Sequence, residues 1–172
     1  MRNIWRYILL FVITLLLQLF LLDRMTVGVW FVPLVYTAAL ILLPLNTPSF
    51  VVLLTGLATG LAADLTTGTA GLNVIAALPA AYLRRPLLRL FSSRELMRET
   101  LVPSPETMGR FKFILYASSL ISLHSLIFHL FEALSLSHLG RTLLLSAVGA
   151  GETLVFICII AVIFTVKNNG RL

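Results

Sequence analysis

One cysteine, three histidines and seven acidic residues are all that 172 positions provide of the side chains that most often carry chemistry. Cys158 alone can build neither a disulfide framework nor a soft-metal cluster, and it lies in an apolar run where it reads as a small core residue. The helical zinc signature His-Glu-x-x-His is absent. His124 and His129 stand five positions apart, roughly 140° around a helix, so they do not converge on a metal. His129 and Glu132 are neighbours at i, i+3 but have no third ligand, and read as a polar contact. Asp64 has no second intramembrane aspartate with which to share a proton, which excludes an aspartic dyad. Ser118, Ser119, Ser122 and Ser125 follow no nucleophile-turn pattern and read as helix-to-helix hydrogen bonding. The expectation is a protein that is not an enzyme and holds no metal or cofactor.

Charge is also scarce, at 12% of residues, while 59% are hydrophobic and the mean hydropathy is +1.00. That is more apolar surface than one soluble core of this length can bury, so lipid is the expected solvent. A crossing needs about 20 apolar residues as a helix. Six runs come near that pattern, at about 7–22, 27–45, 50–63, 72–83, 113–134 and 142–166. The reading is an all-α integral membrane protein, one domain over 1–172, with six transmembrane helices and short loops. Cut this way, eleven of the thirteen Lys and Arg fall on one side, and only Arg24 and Arg141 on the other. Loops rich in Lys and Arg stay in the cytoplasm, so both termini and the basic loop 84–112 are expected there. The formal charge of +6 sits in juxtamembrane segments, so anionic lipid, not nucleic acid, is the expected partner.

Local signals divide the chain further. The first run follows a basic start with Trp5 and Tyr7 suited to the interface, and no small-residue cleavage site follows it, so it reads as an uncleaved helix. Pro33 is expected to bend the second helix or mark its first turn. The fourth run is read as ending at Arg84-Arg85-Pro86, opening a basic surface that includes Arg89, Arg94 and Arg98. Ser92-Ser93-Arg94-Glu95 fits a capping box for a short helix to about Thr100, which Pro103 and Pro105 then break. Leu87, Leu88, Leu90 and Phe91 among arginines suit the inner leaflet.

Within the membrane, Gly56, Gly60 and Asp64 recur every fourth residue on one helix face. Glycines at that spacing admit a second helix closely, making a packing seam or a partner surface. Asp64 is read as a ligand for loop N–H groups of the Thr66-Thr67-Gly68 turn, with a proton or ligand site as the alternative. Glu152, beside Gly149, Ala150 and Gly151, suggests a tight interface with a hydrogen bond to another helix, with a proton relay as the alternative. Asp64, His129, Glu132 and His138 gather toward the outer side.

The run Thr55-Gly56-Leu57-Ala58-Thr59-Gly60-Leu61-Ala62-Ala63-Asp64, followed by Gly68-Thr69-Ala70-Gly71-Leu72-Asn73, resembles the rod shape-determining MreD family. The motif is Gly-Leu-x-x-Asp, then a glycine and a Gly-Leu pair, and the turn from Pro44 to Pro48 with the Arg84-Arg85-Pro86 exit is similar to the Bacteroidetes-type version. The resemblance implies a multi-pass protein of the bacterial inner membrane, a scaffold of the elongation machinery that directs lateral peptidoglycan synthesis. Its implied partners are MreC and, through it, MreB and the cell-wall synthase complex, with a homodimer as a further expectation. It also implies a fold similar to the substrate-binding component of energy-coupling vitamin transporters. A small-solute or vitamin-binding uptake subunit is therefore the alternative function. Gly56, Gly60, Asp64 and Gly71 carry over as motif positions.

Overall fold

A computed structural model of the chain describes residues 4–18, 33–133 and 139–169. Arg24, the first part of the second run and His138 lie outside the described residues. The described residues form α1 (Ile4–Leu17), α2 (Thr37–Ile41), α3 (Ser49–Thr67), α4 (Leu72–Phe91), α5 (Pro105–Met108), α6 (Arg110–Ala133) and α7 (Leu139–Asn169), with no strand among them. Among the described residues three helices are long and apolar enough to cross a membrane: Ser49–Thr67, Arg110–Ala133 and Leu139–Ile163. The protein is therefore all-helical with membrane-spanning character.

α3, α4, α6 and α7 pack side by side in that order, and residues 33–45 lie against them together with α1. Every residue from Pro33 to Leu43 is buried. Ala38, Ile41 and Leu42 share one apolar cluster with Val52 of α3, Ala80 and Leu88 of α4, Phe113 and Tyr116 of α6, and Ile157 of α7. This short segment is the axis of the fold, and the long helices surround it.

The glycine face of α3 meets α4, not an outside partner. A β-carbon at Gly60 would lie 2.8 Å from Val74 Cα and 3.0 Å from the Asn73 carbonyl oxygen. At Gly56 it would lie 2.9 Å from Ala81 Cβ. With Ala76, Ala77, Ala80 and Ala81 buried on α4, the two backbones approach closely, and dispersion between them replaces the hydrophobic drive that lipid cannot supply.

Several expected boundaries shift. The second run is not one continuous helix in its described part: residues 33–36 are non-helical and α2 is only five residues long. Pro33 has no N–H to give a preceding turn, and the next amides bond to side chains instead. α4 does not stop at Leu83 but runs through Arg84, Arg85 and Pro86 to Phe91. Burying Leu88 against Phe113 and Tyr116 favours this continuation over the backbone bond lost at Pro86.

Part of the expected loop 84–112 is thus helix. Ser92 and Glu95 form no capping box; Ser93 Oγ accepts from Leu96 N at 3.2 Å and only a 3₁₀ turn, Leu96–Arg98, follows. The capping box forms instead at Ser104 and Thr107, each side chain bonded to the other's backbone N–H. Pro105 opens this short helix, because a first-turn proline loses an N–H that has no helical partner.

Gly60→Ala is expected to lower the thermal midpoint of the purified protein, by overpacking worth about 1–3 kcal/mol. Gly151→Ala, where an added β-carbon meets nothing within 4 Å, is expected to leave it unchanged or raise it slightly, since alanine is the better helix former. Equal midpoints for both variants in a detergent melt would contradict the α3–α4 contact.

Candidate functional site

A backbone break inside an apolar bundle is costly, because an amide without a partner there loses the hydrogen bond that water would give. Here each end of the break is met by side chains from other helices. Leu34 N donates to Thr153 Oγ1 of α7 at 2.9 Å, and that hydroxyl donates to the Gly149 carbonyl at 2.7 Å. Val35 N donates to Gln18 Oε1 at 2.8 Å, just beyond α1. Thr37 Oγ1 turns back to the Leu34 carbonyl at 2.7 Å. The helix restarts only after these bonds are made.

The other end of α2 leaves carbonyls without amide partners. Tyr116 Oη donates to the Ile41 carbonyl at 3.2 Å. Arg84 Nη2 donates to the Leu43 carbonyl and, at 3.3 Å, to that of Pro44. Arg84, expected on the cytoplasmic surface, is 1% exposed. Guanidinium donors can span two carbonyls of an irregular turn, and a cation at the end of a helix is favoured by the peptide dipoles. Its neighbour Arg85 is exposed and donates to Ser49 Oγ at 3.2 Å.

A second polar group connects this segment to the motif. Gly71 is the N-cap of α4 with φ +87°, a backbone conformation suited to glycine, and it has no side chain with which to cap the helix. Asp64 of the preceding helix performs that role. Its Oδ1 accepts from Asn73 N at 2.9 Å, Asn73 Nδ2 at 3.0 Å and Thr69 Oγ1 at 2.6 Å, while Oδ2 accepts from Val74 N at 3.0 Å. These bonds place a carboxylate at the positive end of a 20-residue helix.

The bonding then runs inward with one proton order. Asn73 gives its amide protons to Asp64 and Thr69, so its Oδ1 faces Tyr36, whose hydroxyl donates to it at 2.8 Å. The Tyr36 oxygen also lies 2.8 Å from His124 Nε2. With its own proton committed to Asn73, Tyr36 can only accept there, so Nε2 of His124 carries a hydrogen. Every donor in the series His124, Tyr36, Asn73 points toward Asp64. The chain spans α6, the segment before α2, α4 and α3, with Tyr36 and His124 each 1% exposed.

The remaining candidates are dispersed. His129 Nδ1 lies 2.9 Å from the Ser125 carbonyl, and Ser125 Oγ donates to the Ser146 carbonyl at 3.0 Å, joining α6 to α7. His124 and His129 thus serve different elements. Glu132 is exposed at the end of α6. Glu152 is half-buried on α7, next to Thr153. Among the described residues no three His, Cys, Asp or Glu side chains come together as metal ligands. Tyr36, Asn73, Gln18 and Thr153 are not candidates from the sequence alone; a polar residue within an apolar run, as at Gln18 and Tyr36, is the available signal. No protein-family model, curated protein or solved structure matches this chain.

The proton order is testable by ¹⁵N NMR of histidine-labelled protein in detergent. His124 is expected to show a protonated Nε2, and Tyr36→Phe is expected to shift that resonance. A bare Nε2 in the wild type would contradict the assignment. Asp64→Ala is expected to cost about 1–3 kcal/mol, since it removes the α4 cap and leaves buried donors without acceptors; an unchanged unfolding midpoint would contradict the capping role.

Proposed function

We propose that this chain is a non-enzymatic, multi-pass scaffold of the bacterial rod-shape machinery, similar to MreD, that binds MreC in the inner membrane. Through MreC it would help to organise MreB and the cell-wall synthase complex in lateral peptidoglycan synthesis. On this reading the three long apolar helices are joined by α1, α4 and the interrupted second run as further crossings, with both termini in the cytoplasm.

The observation that carries the reading is the role of the motif. Gly56 and Gly60 receive α4, Gly71 starts it, and Asp64 accepts four hydrogen bonds from Thr69, Asn73 and Val74. A carboxylate so occupied serves shape, and the motif builds a hairpin in place of an open reactive site. The outward sides of the bundle remain apolar: Leu54, Leu57, Leu61 and Leu65 on α3, and Leu144, Val148, Val155 and Ile159 on α7 are exposed. Such faces suit lipid and the single crossing of a partner protein.

One observation favours the alternative, a small-solute or vitamin-binding subunit of an uptake transporter. Carriers often hold ligands where a membrane helix is interrupted, and residues 33–36 are such an interruption. The bonds of Leu34 and Val35 to Thr153 and Gln18 occupy two of the amides that a ligand would use.

A mild-detergent pull-down of the tagged protein from its native membrane separates the two. Recovery of a single-span MreC-like protein with a cell-wall synthase is the expected result. Recovery of a transmembrane coupling subunit with paired nucleotide-hydrolysing subunits would overturn the scaffold reading in favour of transport.

A further inference from the structure

Among the described residues one end of the bundle collects nearly all of the exposed positive charge. α3 begins there at Ser49, α4 ends there at Phe91, and α6 begins there at Arg110. The ends are fastened together by Arg85 Nη1 on Ser49 Oγ at 3.2 Å and by Leu45 N on the Leu101 carbonyl at 2.9 Å. Arg85, Arg89, Arg94, Arg98, Arg110 and Lys112 are all exposed, against the three glutamates Glu95, Glu99 and Glu106. At the opposite end Arg141 is the one Lys or Arg among the described residues.

Large apolar side chains are exposed among these cations. Leu90, next to Arg89, is 72% exposed; Phe111, between Arg110 and Lys112, is 73% exposed; Phe50, next to Ser49, is 70% exposed. In water such residues would forfeit the free energy of burial. At the boundary between headgroups and acyl chains both sets are satisfied, the rings and leucine in the hydrocarbon and the long basic side chains reaching outward to phosphate. Helices long enough to cross a bilayer begin at this same end, which puts the patch at headgroup depth. A neutral protein surface would not meet the charge, and an acidic soluble partner would leave Leu90 and Phe111 uncovered.

We propose that this end is a binding surface for anionic phospholipid headgroups, with Arg85, Arg89, Arg94 and Arg98 contacting phosphates and Leu90 and Phe111 inserted between the acyl chains. The proposal does not depend on the scaffold reading, since it follows from the placement of charge and apolar surface alone.

The test uses the full chain reconstituted in phosphatidylcholine vesicles with trace spin-labelled phosphatidylglycerol or spin-labelled phosphatidylcholine. Electron paramagnetic resonance reports the fraction of each label held at the protein surface. Phosphatidylglycerol is expected to be preferred by roughly fivefold, from several basic side chains near one surface. The preference is expected to fall toward parity at about 0.5 M NaCl, where the Debye length is only a few ångströms. Replacing Arg85, Arg89, Arg94 and Arg98 with Gln is expected to remove most of it, and Arg141→Gln to leave it in place. Equal retention of the two lipids, or a preference that survives either high salt or the fourfold variant, would overturn the proposal. If the fourfold variant does not fold, the salt titration of the wild type decides.

Discussion

The structure depends on one constraint: a stretch of irregular backbone lies where water is scarce, and its polar groups must be satisfied by protein. Residues 33–45 are nearly all buried, yet only Thr37–Ile41 is helical. The partners come from elements far apart in sequence, Thr153 from α7, Tyr116 from α6, Arg84 from α4 and Gln18 from just after α1. Removing any one of them leaves a buried amide or carbonyl unpaired, which costs about 1–3 kcal/mol. Four contacts of that kind make the relative placement of the long helices specific, where apolar packing alone would tolerate sliding.

The same economy explains the motif in α3 and α4. Small residues bring the two helices into backbone contact, and the turn between them reaches α4 through Gly71, whose φ of +87° favours glycine and so leaves the N-cap without a side chain. Asp64 supplies the cap from across the turn, and its negative charge orders Asn73, Tyr36 and His124 behind it. The hairpin and the interrupted segment are thus joined by one series of hydrogen bonds. In the proposed scaffold role, such rigidity would lower the ordering cost of binding a partner helix.

Much of this is visible in the sequence, and the remainder has a physical reason for being hidden. The apolar runs announce membrane helices, and Gly56, Gly60 and Asp64 share one face because their spacing follows the helical repeat. Asp64 is close enough to its turn for a local bond to be foreseen. Arg84 is different: beside Arg85 and before Pro86 it reads as a loop cation, and nothing nearby shows that the carbonyl of Leu43 awaits a donor some forty residues away. The Tyr36, Asn73 and His124 contacts are equally long-range. The capping box at Ser104 has threonine at its last position instead of glutamate, so the Ser92–Glu95 match, which has the better sequence, obscured it.

The most direct measurement is amide hydrogen exchange across residues 34–45 in the detergent-purified protein. The account predicts that Leu34 and Val35, although outside any helix, exchange as slowly as the centre of α6, and that Thr153→Val accelerates Leu34 without a matching change in α6. Exchange of Leu34 and Val35 as rapid as that of the exposed residues at 93–95 would contradict it, since these amides would then be open to water and not held by Thr153 and Gln18.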